Sequence, residues 1–455
     1  MIFINLKELL NHFGIDCSMD MKLDSISIDS RKVGNNCLYL CLDNKYLDSF
    51  TFRDDIVVLS REEYMNKTVV VPDLDKVYID MIHYFFNNPT SKVTVIGVTG
   101  TNGKTTIASS LAKIVKDSMY IGTLYVSYKD KFIHTDNTTP SLIDTLSYIK
   151  DAIDNGIKYV FMEVSSHSIV QDRVKGIDFD GLIFTNLTQD HLDYHKTMEE
   201  YFKAKKKLFD NAKKDSFAII NFDDRYGKKI IRDYKGRVIK YSYFDIVKSK
   251  YRHCKSCIKL KDVSLKYHLI GSFNAYNVMA MYKTLIMLGF SKKKSKAMIK
   301  KVDCVVGRME RVTKNIYIDY AHTPDALSKA LYELKNICKG KLHVVFGCGG
   351  NRDKGKRSKM GAIASIGADY VYITNDNPRW ENDIDIIMDI CSGIDNRRNL
   401  YINPDRAECI EFAIMSMNKN DILIVAGKGH EDYMIIKDEK KYFSDRETIL
   451  CIKNR

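Results

Sequence analysis

An apolar run, Thr94-Val95-Ile96-Gly97-Val98, leads into a glycine-rich turn that ends in Gly103-Lys104-Thr105-Thr106, and a helical pattern takes over at Ile107. Strand, tight loop and helix in that order aim several backbone N–H groups and a helix N-terminus at one point, which makes an anion site. Gly100, Thr101, Asn102 and Gly103 supply the loop. Lys104 brings a mobile charge to the outer phosphates, and the hydroxyls of Thr105 and Thr106 suit a phosphate-bound magnesium. The spacing is a variant, with Val98 where the usual phosphate loop has glycine. The unit predicts an α/β chain that binds ATP or GTP.

At 455 residues the chain exceeds one hydrophobic core, and three domains are expected. No apolar run approaches the ~18 residues of a membrane span, so no membrane insertion is expected. Residues Met1 to Cys17 place Leu6, Leu9, Leu10 and Phe13 at helical spacing around Lys7 and His12, an amphipathic helix and not a signal peptide. The eleven cysteines are scattered, and Cys254 with Cys257 forms a lone CxxC, which indicates neither zinc nor a disulfide framework. A reducing, cytoplasmic location follows as the expectation.

Lys and Arg (71) outnumber Asp and Glu (58), for a net charge of +13. That excess fits nucleic acid, polyanionic substrates or a lysine-rich composition equally. The lysines read as dispersed, with local clusters at Lys203 to Lys207 and Lys292 to Lys301, the second a solvated helix face. Basic and aromatic residues do not interleave, so no nucleic-acid partner is expected.

Residues 1–90 mix short strands (25–30, 37–42, 68–71) with two helical patterns, and Asn87-Asn88-Pro89-Thr90 marks a boundary. From Val93 strands and helices alternate: 93–98, 107–117, 141–155, 159–163, 182–187, 198–210 and 217–221. This is the pattern of a mostly parallel sheet covered by helices. A further alternating block begins near Val305. Its strands are 316–319, 342–346, 370–374 and 421–426, and its helices 326–338, 357–367 and 407–417. The predicted domains are therefore 1–90, 91–302 and 303–455.

Glu163 ends an apolar strand and suits a second magnesium anchor beside the phosphate loop. Asn186 to His195 crowds two Asp and two His into six residues; a metal or phosphate site and a set of structural caps explain that equally well. Asp319 to Asp325, Gly347 to Arg357, Asp376 to Arg379 and Gly427 to Asp432 each follow a strand of the last block. Open sheets bind ligands at the carboxyl ends of their strands. Four such polar loops, facing a phosphate loop, predict a cleft where two substrates meet.

These segments, with Asn137-Thr138-Thr139-Pro140, Glu163 to Arg173 and Gly307-Arg308-Met309-Glu310, resemble the Mur ligases, and within that family the MurE type. The likeness covers nearly the whole chain in order. It implies three domains: an N-terminal α/β domain binding UDP, a central P-loop-type ATPase domain with a mostly parallel sheet, and a C-terminal Rossmann-like domain that brings the amino acid. The implied reaction is ATP-dependent addition of meso-diaminopimelate to UDP-N-acetylmuramoyl-L-Ala-D-Glu through an acyl phosphate, in peptidoglycan precursor synthesis, by a monomer.

By family position, Lys104 holds phosphates, Thr105 and Glu163 bind one Mg²⁺, and His191 serves a second. Lys205, in Tyr201-x-x-Ala204-Lys205, would be carbamylated and become a further magnesium ligand. Asn274 would contact adenine, and Arg308 and Asp319 the phosphate and ribose side of ATP. Ser30 would contact uridine, and Thr138, Thr139, Ser165, Gln171 and Arg173 would hold the muramoyl dipeptide. Arg352, Asp376, Asn377, Arg379, Gly427 and Glu431 match positions that grip the amino acid. Arg379 is suited to pair bidentately with the carboxylate that distinguishes diaminopimelate from lysine. Departures from the family pattern are Asn351 for Asp, Ser358 for Pro, Ser168 for Gly, a bulky Trp380 after Arg379, and Gly34-Asn35-Asn36 in place of Pro-Gly-Asp. The rival readings are a lysine-adding ligase of the same family, a folylpolyglutamate synthetase, and a basic P-loop ATPase acting on nucleic acid.

Overall fold

The computed structural model describes residues 4–17, 19–65, 68–251 and 255–454; Cys254, half of the CxxC, lies outside them. Three parallel-stranded sheets organise the chain. The first has four strands in the order Ser25–Ser27, Cys37–Leu40, Ile56–Ser60 and Val69–Val70, all parallel. Helix Leu6–His12 buries Leu6, Leu9 and Leu10, as its spacing predicts, and Leu74–Phe85 is the second helical pattern.

The central sheet has eight strands. Six run parallel in the order Ser118–Ile121, Tyr159–Glu163, Thr94–Thr99, Gly181–Phe184, Phe217–Asn221 and Arg237–Tyr241. Val126–Tyr128 and Lys131–Ile133 extend one edge in antiparallel fashion. Its apolar strands read as continuous runs because both faces are covered. Val95, Val160, Leu182 and Ile220 join the core shared with the N-terminal sheet. Ile96, Val98, Phe161, Ile183 and Ile219 point the other way, onto helices Lys104–Ile114 and Phe273–Met287.

The last sheet runs Glu310–Arg311, Ile316–Asp319, Ile422–Ala426, Leu342–Phe346, Tyr370–Ile373 and Leu400–Ile402, all parallel except the first. Helices Pro324–Ile337, Arg357–Gly367 and Asp383–Cys391 cover one face; Arg406–Met415 and Asp445–Lys453 cover the other.

Differences from the sequence expectation have local causes. The helix after the phosphate loop starts at Lys104, three residues early, because Gly103 at φ +91° turns the chain straight into it. The strand expected over 182–187 ends at Phe184, since Asn186 turns back and its carbonyl accepts from Thr101 N–H at 2.9 Å. The first strand stops at Ser27 because Asp29 caps a short 3₁₀ turn over Ser30–Lys32. Helix Asp383–Cys391 escapes the pattern because its alternating Asp and Ile imitate a strand. A small antiparallel sheet, Ile246–Lys250, Ser256–Leu260 and Ser264–Tyr267, is also additional.

Candidate active site

The central strand Thr94–Thr99 delivers the phosphate loop into a cleft between the central and last sheets. Gly100 sits at φ +143°, where a Cβ would lie 1.9 Å from Thr185 Oγ1, and at Gly103 a Cβ would lie 2.6 Å from Asn277 Oδ1. Only glycine fits either position. Lys104 Nζ donates to the carbonyls of Gly100 (3.0 Å) and Thr101 (2.9 Å), folded over the loop it serves.

Beside the loop, Glu163 is fully buried at its strand end. Its Oε2 accepts from the hydroxyls of Thr105 (2.9 Å) and Thr123 (3.1 Å). Its Oε1 accepts from Tyr120 OH (2.5 Å) and Thr123 N–H (2.9 Å). Arg308 reaches across the cleft, donating to Thr105 Oγ1 at 3.1 Å, and its other terminal nitrogen is buried without a partner. A buried orphan donor beside a phosphate loop fits an anionic ligand.

Beneath the loop lies Lys205, 1% exposed, its Nζ only 3.2 Å from the Gly100 carbonyl and 3.3 Å from Thr99 Oγ1. No carboxylate forms an ion pair with it among the described residues. Burial first, and then the charge of Lys104, hold its pKa far below the ordinary lysine value. A neutral amine is the form that reacts with carbon dioxide.

Asp190 is buried and met from both walls. His191 Nε2 lies 3.3 Å away on its own wall, while His322 Nε2 at 3.4 Å and Lys356 Nζ at 4.0 Å come from the opposite one. Burial pushes His191 down to about 3 in spite of that carboxylate, so its ring is neutral and keeps a lone pair to give. Among the described residues no three His, Cys, Asp or Glu side chains converge as a ready metal cage. Magnesium needs none, since it takes one or two protein oxygens and completes its shell with phosphates and water. Thr105 and Glu163 beside the phosphate loop, with neutral His191 opposite, fit that demand.

One cavity holds Thr101 to Thr106, Thr138, Glu163, His191, Asn274, Arg308 and Asp319. The Asn274 amide bonds the Ile270 carbonyl and Asn277, and burial raises Asp319 to about 6. A connected cavity of about 350 Å³ shares Lys104, Thr138 and His191 and continues past Ser165 and Arg173 to Arg352, Asp376, Asn377, Arg379, Gly427 and Glu431. At that end Asn377 donates to Glu431 at 2.9 Å, and Lys428 to Asn377 at 3.1 Å. Arg379, at φ +53°, spends Nη1 on the Gly350 (3.0 Å) and Asn377 (3.3 Å) carbonyls and has no carboxylate partner among the described residues. Asn351 and Trp380, two departures from the family pattern, touch: Trp380 N–H donates to Asn351 Oδ1 at 3.1 Å.

Ser30 lines a separate pocket with Tyr39, Tyr46 and Ser141, the last being the cap of helix Leu142–Asp154 just after Thr138-Thr139-Pro140. Four further expected residues do not line the chamber either. Thr139 is fully buried, its hydroxyl donating to Glu163 O and accepting from Ser165 N–H, so it braces the site from behind. Gln171 is exposed and orients Arg173, whose Nη1 donates to the Thr139 carbonyl. Gly100 and Lys205 lie one layer below the surface. Tyr120 and Thr123, the other partners of Glu163, went unnoticed, although an apolar run after a βα unit signals the strand that carries Tyr120. His322 and Lys356 lie in the loops 319–325 and 347–357, where sequence alone assigns them no role.

The chain resembles known proteins over nearly its whole length. Residues 98–285 match the Mur ligase middle domain and 307–429 the Mur ligase glutamate ligase domain. The chain is 38% identical, over 95% of both chains, to a UDP-N-acetylmuramoyl-L-alanyl-D-glutamate–2,6-diaminopimelate ligase of Clostridium acetobutylicum, and 37% identical, over 98% of both, to one of Bacteroides fragilis. A solved structure of such a ligase aligns over 99% of both chains with TM-score 0.66 and 28% identity. The fold alone is shared with a Mycobacterium tuberculosis folylpolyglutamate synthase complexed with ADP (TM-score 0.64, 16% identity, 77% of this chain and 91% of that one). Two matching family domains and full-length relatives at this identity place the chain in the Mur ligase family, among ligases of the MurE type.

Proposed function

We propose that the chain joins meso-diaminopimelate to UDP-N-acetylmuramoyl-L-Ala-D-Glu with ATP as the energy source, as the names of its relatives state for them. The observation that carries this reading is the single chamber reaching from Lys104 past His191 to Arg379. Phosphate chemistry at one end and an unpaired guanidinium at the other suit a carboxylate that is activated and an amine that captures it.

In the first step a D-Glu carboxylate oxygen attacks the γ-phosphorus and ADP leaves, giving an acyl phosphate. The amine nitrogen then attacks the acyl carbon, phosphate leaves from the tetrahedral intermediate and the nitrogen loses its proton. Both steps gather negative charge, so positioned cations lower the barrier. Lys104 swings from its loop carbonyls onto the terminal phosphates, and Arg308 turns its orphan donor to the same group. Asn274 and Asp319 hold adenine and ribose. Thr105 and Glu163 would hold one Mg²⁺, and His191, with Lys205 once carbamylated, another; the metal supplies charge neutralisation along the phosphates.

The proposed division of labour is uridine at Ser30 in 1–90, ATP in 91–302 and the amino acid in 303–455. Thr138, Ser165 and Arg173 face the dipeptide, with Thr139 and Gln171 as their braces. Arg352, Asp376, Asn377, Gly427 and Glu431 receive the amino-acid end. Lysine in place of diaminopimelate would leave Arg379, half-buried in the free chain and covered by the bound amino acid, unpaired at a cost of about 1–3 kcal/mol, roughly ten- to hundredfold in selectivity. Among the described residues no helix is long and apolar enough to cross a membrane, and a monomer acting on small molecules of the cytoplasm completes the reading. Phosphate release with the UDP-linked dipeptide and a panel of amino acids tests it. Release with meso-diaminopimelate is expected; release with lysine alone overturns the role of Arg379.

A further inference from the structure

The net charge is not spread over the molecule. Of the formal +13, residues 225–266 contribute +11, with fourteen Lys or Arg against three Asp, so the other nine-tenths of the chain is almost neutral. Every one of those basic residues that the structure describes is exposed. The three acids are already engaged by lysines outside the segment: Asp233 by Lys206 at 2.8 Å, Asp245 by Lys283 at 3.2 Å, and Asp262 by Lys292.

The small antiparallel sheet concentrates this charge by register. Its inner face buries Ile258, Leu260, Leu265 and Tyr267. Its outer face carries Lys248, Lys250, Lys259 and Lys266, none ion-paired among the described residues. Lys248 stands directly opposite Lys259, and Lys250 and Lys266 flank Cys257 on the middle strand. Like charges facing each other across strands destabilise a sheet, and an anionic surface laid against this face would relieve the repulsion. At the border, Phe244, in the turn after the strand Arg237–Tyr241, is 94% exposed, and Val247, at the start of the strand Ile246–Lys250, is 65% exposed.

We infer that the outer face of this sheet is a docking surface for an anionic lipid bilayer, with the lysines over the headgroups and Phe244 and Val247 in the interface. Lysine rows bind anionic headgroups as point charges, and a protruding aromatic among them supplies the apolar anchor. A nucleic-acid face would instead carry aromatic side chains on the sheet for base stacking; here the outward positions are Lys, Ser and Cys. The attachment is peripheral, and none of the docking residues lines the chamber, which stays open to small molecules.

Co-sedimentation of the full chain with vesicles tests the inference, using neutral phosphatidylcholine alone and phosphatidylcholine with about one-third phosphatidylglycerol. Binding is expected only with the anionic vesicles and should be abolished at about 0.5 M salt. Replacing Lys248, Lys250, Lys259 and Lys266 by Gln should weaken it at least tenfold, and Phe244→Ala severalfold, with ligase activity in solution unchanged for both. The Gln variant removes a like-charge pair, so its melting temperature should not fall. As a second variant, Lys259→Glu should pair with Lys248 and keep the fold while weakening binding. Equal binding to neutral vesicles overturns the inference, as does binding indifferent to the lysine variants. Polyuridylate bound as tightly as vesicles, with no effect of Phe244→Ala, would also overturn it in favour of a nucleic-acid surface.

Discussion

Lys205, fully buried, and Arg379, half-buried, are both basic side chains without a carboxylate partner among the described residues, and they resolve their electrostatic cost in opposite ways. Lys205 sits under the phosphate loop against two oxygens, with Lys104 adding to the burial that lowers its pKa. An ammonium can escape by losing its proton, and the amine left behind can be rebuilt into an anion. Arg379 keeps its proton at any ordinary pH, so its charge persists, propped on two carbonyls. One end of the chamber is thus suited to make its own negative ligand, whereas the other waits for a substrate to bring one.

The sharpest way to break this contrast is Lys205→Ala. Turnover should fall by about a thousandfold or more, as expected when a charge-stabilising group leaves a reaction centre, and small carboxylates added to the assay should restore part of it. No restoration in a folded variant would remove the carbamate from the argument. Next, Arg379→Ala should raise KM for diaminopimelate about ten- to hundredfold with little change in KM for ATP. Arg379→Lys should recover only a small part, because a point charge lacks the guanidinium fork. Equal changes for both substrates would reassign Arg379 to structure.

A smaller effect concerns pH. Burial raises Asp319 to about 6 from its ordinary 3.8. The neutral form therefore stabilises the fold fully below 3.8, and that contribution is lost as pH rises through about 6. If Asp319 takes the ribose as proposed, its ionised form is the one that accepts both hydroxyls. ATP affinity should therefore weaken by up to about tenfold per unit as pH falls below that point, and titration with an Asp319→Asn variant should be flat. Smallest of all should be an optical signal. The single tryptophan, Trp380, adjoins Arg379, so its emission should shift on adding diaminopimelate and stay unchanged with ATP.

The phosphate loop and Glu163 were legible because strand, glycines and strand-end acid are contiguous in the chain, and because both faces of the central sheet are buried. Lys205 was harder to read among Lys203, Lys206 and Lys207, although Tyr201 and Leu208 share its inward helical phase. Asp190 was ambiguous for a different reason. Its importance arises from His322 and Lys356, which lie more than a hundred residues away and meet it only once the sheets face each other. Tyr120 was invisible because nothing in a lone phenol announces that its hydroxyl will end on a glutamate forty-three positions on. The basic sheet was overlooked because its lysines are interleaved with apolar residues, and only strand register collects them on one side.

Several contacts that draw the two walls together are made by the proposed working groups themselves, beside others such as Gln189 with Asp353 and Ser272 with Glu333. Arg308 meets Thr105, His322 and Lys356 meet Asp190, and Asn102 donates to Asp325 at 2.9 Å. Any movement wide enough to release ADP must therefore pull these groups apart. On the proposed roles, an open enzyme holding ATP would lack the assembled machinery to spend it on water, and turnover would require the walls to meet around both partners.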